Sequence, residues 1–399
     1  MVLENECTFT SEVNREYDDQ FAIAGAKIGN TVNVRKPGRF LGTTGPALSV
    51  EDLNETSVPV VLNTQFHVDT SFTTVDLALN LGSFTDRIIK PTMAAIGNKI
   101  DRDGLVMAKN ATANIVGTPG TAPTGLITYL TAAAYLDSEG APRDGRRAVV
   151  IEPFTSATIV DSLKGLFVPE ATVSAQFKKG MMGRDSGGMN WKMDQNVVAQ
   201  TFGSWTTTAG AITVNGSGQG TALGYATSSA LNISSTQVGV LNVGDTFTIA
   251  GVYGVNPQNR QSYGRLRNFV VTSQTVLSAG NTSVTVSPAI IYGGQFQNVS
   301  ASPAASSVIT PISMATGTAN AVTSPQNVLF HKNAFTMVCA DLELPEGVHF
   351  AGRASDKQTG MSVRIVRQYS INSDAIPARF DVLYGWAPLY PELACRIAA

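Results

Sequence analysis

The chain has 399 residues, a formal net charge of −2 and only 15 % charged side chains. Its length accommodates two or three domains with a sizeable core, while its charge balance excludes bulk attraction to nucleic acid or anionic membrane, which needs a clear basic excess. So few charges in a chain rich in Gly, Ser, Thr, Ala and Val imply many strands and tight turns, and surface that ends up covered by another molecule.

Cys7, Cys339 and Cys395 are an odd number at wide spacing with no CxxC, so they read as reduced thiols. The N-terminus carries acids where a signal peptide needs bases, and no run of about 18 apolar residues is present to span a membrane. These features place the protein in the cytoplasm.

Residues 1–30 set Val2, Leu3, Val13, Tyr17 and Phe21 among acids and amides. They predict a helical arm with little core of its own, packed on something else, leading into a strand at Thr31–Arg35. From Lys36 the chain becomes rich in Gly, Pro and Thr, then returns through an alternating leg from Thr64 to Asp69, with Phe66 and Val68 opposed to Gln65, His67 and Asp69. This predicts a long two-stranded excursion with a polar tip near Glu51, Asp52 and Glu55. A two-stranded hairpin alone is marginal in water, so it leans on a neighbouring molecule or, in the blander reading, on its own domain.

Phe84–Asn114 reads as one amphipathic helix, with Ile89, Met93, Ile96, Ile100, Met107 and Ala111 on one stripe. Thr85 and Asp86 supply cap chemistry, and Pro91 suits helix entry. At 1.5 Å per residue a helix of about 25 residues is near 37 Å long, which makes it a spine. The text ITYLTAAAYLDSEGAP then predicts a helix ended by Gly140 and Pro142, RRAVVIEP a buried strand and FTSATIVDSLKGLF another helix, together a mixed α/β unit running to about Thr201.

Near Gln200 helix formers thin out. GDTFTIAGVYGV, RNFVVTSQTVL and NTSVTVSPAII read as closely spaced strands of an inserted antiparallel β barrel or sandwich over 206–325. FTMVCADLEL, MSVRIVRQYS and ARFDVLYGWAP then predict long antiparallel strands, and ELACRIAA a last strand able to join the α/β sheet.

Nothing in the pattern makes an enzyme. His67, His331 and His349 are isolated, GxSxG is missing, and Gly216–Gly220 lacks the lysine and the strand-to-helix setting of a phosphate cradle, reading as a flexible loop. Asp101 and Asp103 are two apart on a helix and point different ways, the mark of a solvated face. No metal or cofactor site is expected. Lys90, Lys99, Arg102 and Lys109 lie off the stripe, on a solvated or intersubunit face. Arg184, Arg260, Arg265 and Arg267 are candidates for contacts between chains.

Four separated runs, FTTVDLALNLGSFTDRIIKPTMAAIGNKID, KGMMGRDSGGMNWKMDQNVV, GDTFTIAGVYGVNPQNRQSYGRLRNFVVT and RIVRQYSINSDAIPARFDVLYG, together resemble the major capsid (coat) protein of short-tailed bacteriophages, in the branch with an inserted β domain. The resemblance covers most of the chain in order. It implies an α+β fold of the tailed-phage capsid type: N-terminal arm (1–30), extended loop and flanking strands (31–83), spine helix of the peripheral domain (84–115), axial domain (116–205), inserted antiparallel β barrel (206–325) and return strands (326–399). Against that family the arm is short, and Asn215–Ser229 carries no charged residue, so glycine-rich polar contact replaces charged bridging between capsomers there.

The implied function is self-assembly into the hexamers and pentamers of an icosahedral shell around double-stranded DNA. The implied partners are a scaffolding protein, a portal, weakly held DNA and possible decoration proteins, with assembly in the host cytoplasm and no membrane. Contacts to an adjacent subunit are expected from Arg39, Glu51, Asp52 and Glu55 of the loop, and from Lys90, Arg102 and Arg260 of spine and insert. A bacterial nanocompartment shell protein and a β-rich adhesin or tail protein are the alternatives.

Overall fold

The 22-residue helix α1 (Lys90–Ala111) occupies most of the expected spine. The computed structural model describes residues 7–16, 29–48, 50–51, 53–73, 88–162, 187–205, 212–312, 322–355 and 360–399, so the expected caps Thr85 and Asp86 lie outside the described residues. Thr92, Ile96, Ile100, Asp101, Leu105 and Ala108 are buried, one inward face at helical spacing. Ile96 and Ile100 fall on the expected stripe, while Ile89, Met93, Met107 and Ala111 are half-buried at its margin. The helix ends at Ala111 and not at Asn114, because the chain turns into β4 (Ile115–Val116), which pairs in parallel with β21 (Ala394–Ala398).

The chain divides into two compact units. The first comprises Met1–Val34, Ser57–Leu105 and Phe335–Leu389. Its sheet is organised on the 14-residue β20 (Ala375–Pro388). The whole of β3 (Thr64–Thr73) pairs with it, from Tyr384 opposite Thr64 to Ala375 opposite Thr73. On the other edge come β19 (Ser362–Arg367), with β18 (Phe350–Ser355) outside it, and then β17 (Phe335–Ala340). The alternation from Thr64 holds, Phe66 and Val68 half-buried and Gln65, His67 and Asp69 exposed, but it belongs to this sheet. The return leg of the excursion is instead β2 (Thr56–Val61), paired with β1 (Thr31–Lys36).

Of the expected helical arm, Val2, Leu3, Tyr17 and Phe21 lie outside the described residues, and the described part, residues 7–16, is not an α-helix. Residues 7–16 contain one 3-10 turn, Thr10–Glu12, and bury Cys7, Phe9 and Val13. Phe9 packs 6.0 Å from Phe335 and 5.5 Å from Trp386, so the apolar residues of this segment are covered by its own unit.

The second unit comprises Arg35–Thr56, Val106–Ala334 and Tyr390–Ala399. One sheet runs β4, β21, β16 (Thr323–His331), β5 (Arg147–Ile151), β6 (Asn190–Met193), with β7 (Ala199–Thr201) also on β16. Every residue of β5 and β21 is buried, Arg147 and Arg396 included, as in strands covered on both faces. Helix α2 (Leu126–Ser138) contributes Tyr129, Ala132 and Leu136, and α3 (Pro153–Ser162) contributes Ile159, to a core with Val149, Trp191, Leu329 and Ile397.

The insert is a six-stranded sheet in the order β15 (Ile309–Pro311), β11 (Thr246–Val255), β12 (Ser262–Val271), β14 (Gly280–Ser287), β9 (Ser229–Ser235), β8 (Ile212–Val214). Its ends meet: Val214 N–H donates to Ser307 C=O, Ser306 N–H donates to Val214 C=O, and Thr213 bridges Val308. Closure turns the sheet into a barrel and removes the free edges. Trp205, Ile233, Phe247, Phe269, Val271 and Val286 are among the residues that fill its own core, while β10 (Gly239–Leu241) and β13 (Thr275–Leu277) form a separate two-stranded ribbon. The Gly216–Gly220 stretch is stapled: the Gln219 side chain donates to Asn215 and Asn232 C=O and accepts from Asn232 N–H.

Candidate assembly surfaces

The extended loop begins where β1 ends at Lys36, before Pro37 and Gly38. The Lys36 ammonium lies 4.4 Å from the ring centroid of Tyr390 and 5.9 Å from that of Tyr225. Burial lowers its pKa, with Glu392 opposing. Arg39 pairs with Glu392 at 3.7 Å. Tyr390 and Glu392 come from the turn just before β21, and Tyr225 comes from the uncharged Asn215–Ser229 stretch, where it meets Phe296 edge-on at 5.3 Å. Further out, Glu51 accepts from Leu41 N–H at 2.7 Å, and Arg35 pairs with Glu55 at 3.6 Å on the surface.

Arg260 sits in the insert with φ 58° and donates Nη2 to Gln295 C=O at 2.5 Å. Its burial and then the Arg39 charge lower its pKa, while Glu51 opposes. Arg39, Glu51, Glu55 and Arg260 thus all have partners within their own chain. Asp52 lies outside the described residues, and Lys90 and Arg102 are exposed on α1. Several of the side chains that the loop presents outward are large and apolar: Phe40 is 60 % exposed, Leu48 91 %, Val50 81 % and Leu53 67 %. Expectation rested on charges in this loop and did not single out these apolar residues, which are scattered through Gly/Pro/Thr-rich text.

Other charges fasten the insert to the α/β part. Arg267, expected between chains, is buried and paired with Glu139 at the end of α2, with Tyr263 donating to the same carboxylate at 3.2 Å. Burial opposes the Arg267 charge, yet Glu139 and the Tyr263 oxygen hold its pKa above the usual arginine value. Arg265 lies over the Tyr135 ring at 5.8 Å, and Arg184 is outside the described residues. Asp245 accepts from Gln200 Nε2 and from the N–H groups of Gly203 and Asn242, while Lys109 donates to Gln200 Oε1 at 2.5 Å. Beside them Arg396 is wholly buried, and burial draws its pKa to about 10 against the pull of Asp245.

Asp101 corrects the solvated-face reading. It is fully buried and accepts from the N–H groups of Phe9 and Thr10 and from the Thr10 hydroxyl. Asp103 pairs with Lys99 at 2.6 Å and accepts from Tyr384 at 2.6 Å. The histidines are spread apart: His67 meets Asp69 at 2.9 Å, buried His331 meets Asp144 at 3.2 Å, and His349 accepts from Tyr369 N–H. Among the described residues no three His, Cys, Asp or Glu converge to hold a metal, and no helix is long and apolar enough to cross a membrane.

A buried ion pair that joins a closed barrel to an α/β core, beside a loop that offers apolar side chains outward, marks an architectural protein. Residues 3–396 match the P22 coat protein family, gene protein 5, and the chain belongs to that family. It is therefore a phage major capsid protein that forms an icosahedral shell, a structural component of the virion and not an enzyme. No curated protein matches the chain. Among solved structures it is similar to one from Mycobacterium phage Che8 (12 % identity, 97 % of this chain, 89 % of that chain, TM-score 0.49). It is also similar to the capsid of Ralstonia phage GP4 (8 %, 97 %, 87 %, 0.47) and, over 26 % of its length, to the CUS-3 coat protein I-domain (28 % identity, 96 % of that chain, TM-score 0.21).

Proposed function

We propose that copies of this chain assemble in the host cytoplasm, with a scaffolding protein and from a portal, into a precursor shell of hexamers and pentamers that takes up double-stranded DNA and expands. The observation that carries this reading is the exposed apolar set Phe40, Leu48, Val50 and Leu53 on the extended loop. Laid over the spine and peripheral strands of an adjacent subunit, these side chains lose their water contact at about 25 cal/mol per Å². Each contact is modest, and many simultaneous contacts multiply into a stable shell. With a net charge of −2 the chain holds packaged DNA only weakly and without sequence preference. Bending of α1 and swinging of arm and loop supply the two states that expansion requires.

Deleting Arg39–Ser57 tests the loop. The shortened subunit retains native circular dichroism and forms no shells by negative-stain microscopy; normal particles from it overturn the reading. Nuclease-protected double-stranded DNA inside particles from infected cells separates a phage shell from a nanocompartment that encloses protein.

A further inference from the structure

The base of the extended loop is gripped by groups from two remote parts of the chain. Lys36 stands 4.4 Å from the ring of Tyr390 and 5.9 Å from that of Tyr225, and Arg39 lies 3.7 Å from Glu392. Tyr225 is itself fixed, edge-on to Phe296 at 5.3 Å, in a stretch whose neighbouring turn is stapled by Gln219. Glu392 is fixed by the 3-10 turn Pro391–Leu393 that feeds the buried strand β21. The seat is thus preformed, and it explains why an uncharged insert loop carries a tyrosine at its centre.

We propose that Tyr225, Tyr390 and Glu392 form an intramolecular latch that holds Lys36 and Arg39, so that the apolar stretch beyond them is aimed before any second copy arrives. The latch rests on the proposed role of the loop only for its effect on assembly. Its contacts are partly exposed, Arg39 by 36 % and Glu392 by 25 %, and contacts of that kind are individually weak. Such a latch opens readily. Its value lies in pre-organisation: a loop already aimed loses less conformational freedom when it docks.

The test uses the purified, unassembled full-length chain. Chymotrypsin cleavage after Phe40 is timed in wild type, Tyr225→Phe, Tyr225→Leu, Glu392→Gln and the Tyr225→Leu/Glu392→Gln double variant. Tyr225→Phe keeps the ring face and cleaves at the wild-type rate, whereas the double variant cleaves roughly tenfold faster with unchanged circular dichroism and thermal midpoint. The double variant also requires a severalfold higher subunit concentration to form shells. Equal cleavage rates in all variants overturn the latch whatever the shells do. Faster cleavage with an unchanged assembly threshold overturns its role in aiming the loop. Shells formed by the chain lacking Arg39–Ser57 would instead refute the assembly role of the loop, leaving the cleavage result intact.

Discussion

The backbone N–H of Thr10 donates to the carboxylate of Asp101 across 3.1 Å, and the N–H of Phe9 donates to the other oxygen of the same group at 3.0 Å. A side chain of the spine thereby satisfies two buried donors of the arm, which would otherwise be costly to remove from water. Asp101→Ala leaves both unpaired and lowers unfolding free energy by about 3 kcal/mol or more. Asp101→Asn keeps one acceptor oxygen and costs less. Guanidinium titrations measure both, and an alanine variant as stable as wild type would refute the anchoring role.

Gly104 lies where helix propensity and packing oppose each other. In an exposed helix Gly→Ala gains about 1 kcal/mol, but here a Cβ would stand 2.6 Å from a ring carbon of Trp386 and 2.8 Å from Phe9. Overpacking of this kind costs about 1–3 kcal/mol, so Gly104→Ala is net destabilising. Differential scanning calorimetry reads the outcome as a lower Tm; a higher one would show that Trp386 yields freely.

Lys109 makes stability depend on alkaline pH. Burial, and then the nearby Arg396 charge, lower its pKa from 10.5 to about 8, with Asp245 opposing. The folded chain therefore gives up this proton before the unfolded chain does. Between pH about 8 and 10.5 the unfolded state binds more protons, and the contribution of Lys109 to stability rises with pH. Below pH 8 both states are charged and the slope vanishes. Denaturant midpoints of wild type minus those of Lys109→Met, taken from pH 7.5 to 10.5, should climb; a flat difference contradicts the burial of the amine.

The three thiols are inert in the native protein. Cys7 and Cys395 are 0 % exposed and Cys339 is 5 %, none of the three is in a disulfide, and burial pushes the Cys395 thiol well above its usual pKa. Since the thiolate is the reactive form, a disulfide-exchange reagent at pH 8 labels none of them within minutes and all three in denaturant. Rapid native labelling of any one would place it at the surface.

Legibility followed the range of the interaction. The spine stripe through Ile96 and Ile100, the alternation of Thr64–Asp69, the buried run Arg147–Ile151 and the turn-punctuated strands of the insert are periodic, and periodicity is written locally. Asp101 was misread because its neighbours in sequence place it on a helix, while its partners Phe9 and Thr10 lie more than ninety positions away. The same holds for Arg267, whose burial depends on Glu139. Arg39, Glu51 and Arg260 were singled out as contacts to an adjacent subunit, and folding gives each of them a partner within its own chain.

By itself the sequence determined an α+β chain with an inserted β domain, a long amphipathic helix and family membership, since these depend on residue type, spacing and order. Tertiary structure alone decided that the insert closes through Val214 and Ser306–Val308, that β3 lies along β20, and that the loop meets the turn before β21 at Lys36 and Arg39. Each of these is a pairing between distant segments. Backbone donors, buried charges and ring faces carry no mark of their eventual partner, and the choice is made by which pairing satisfies every buried polar group at once.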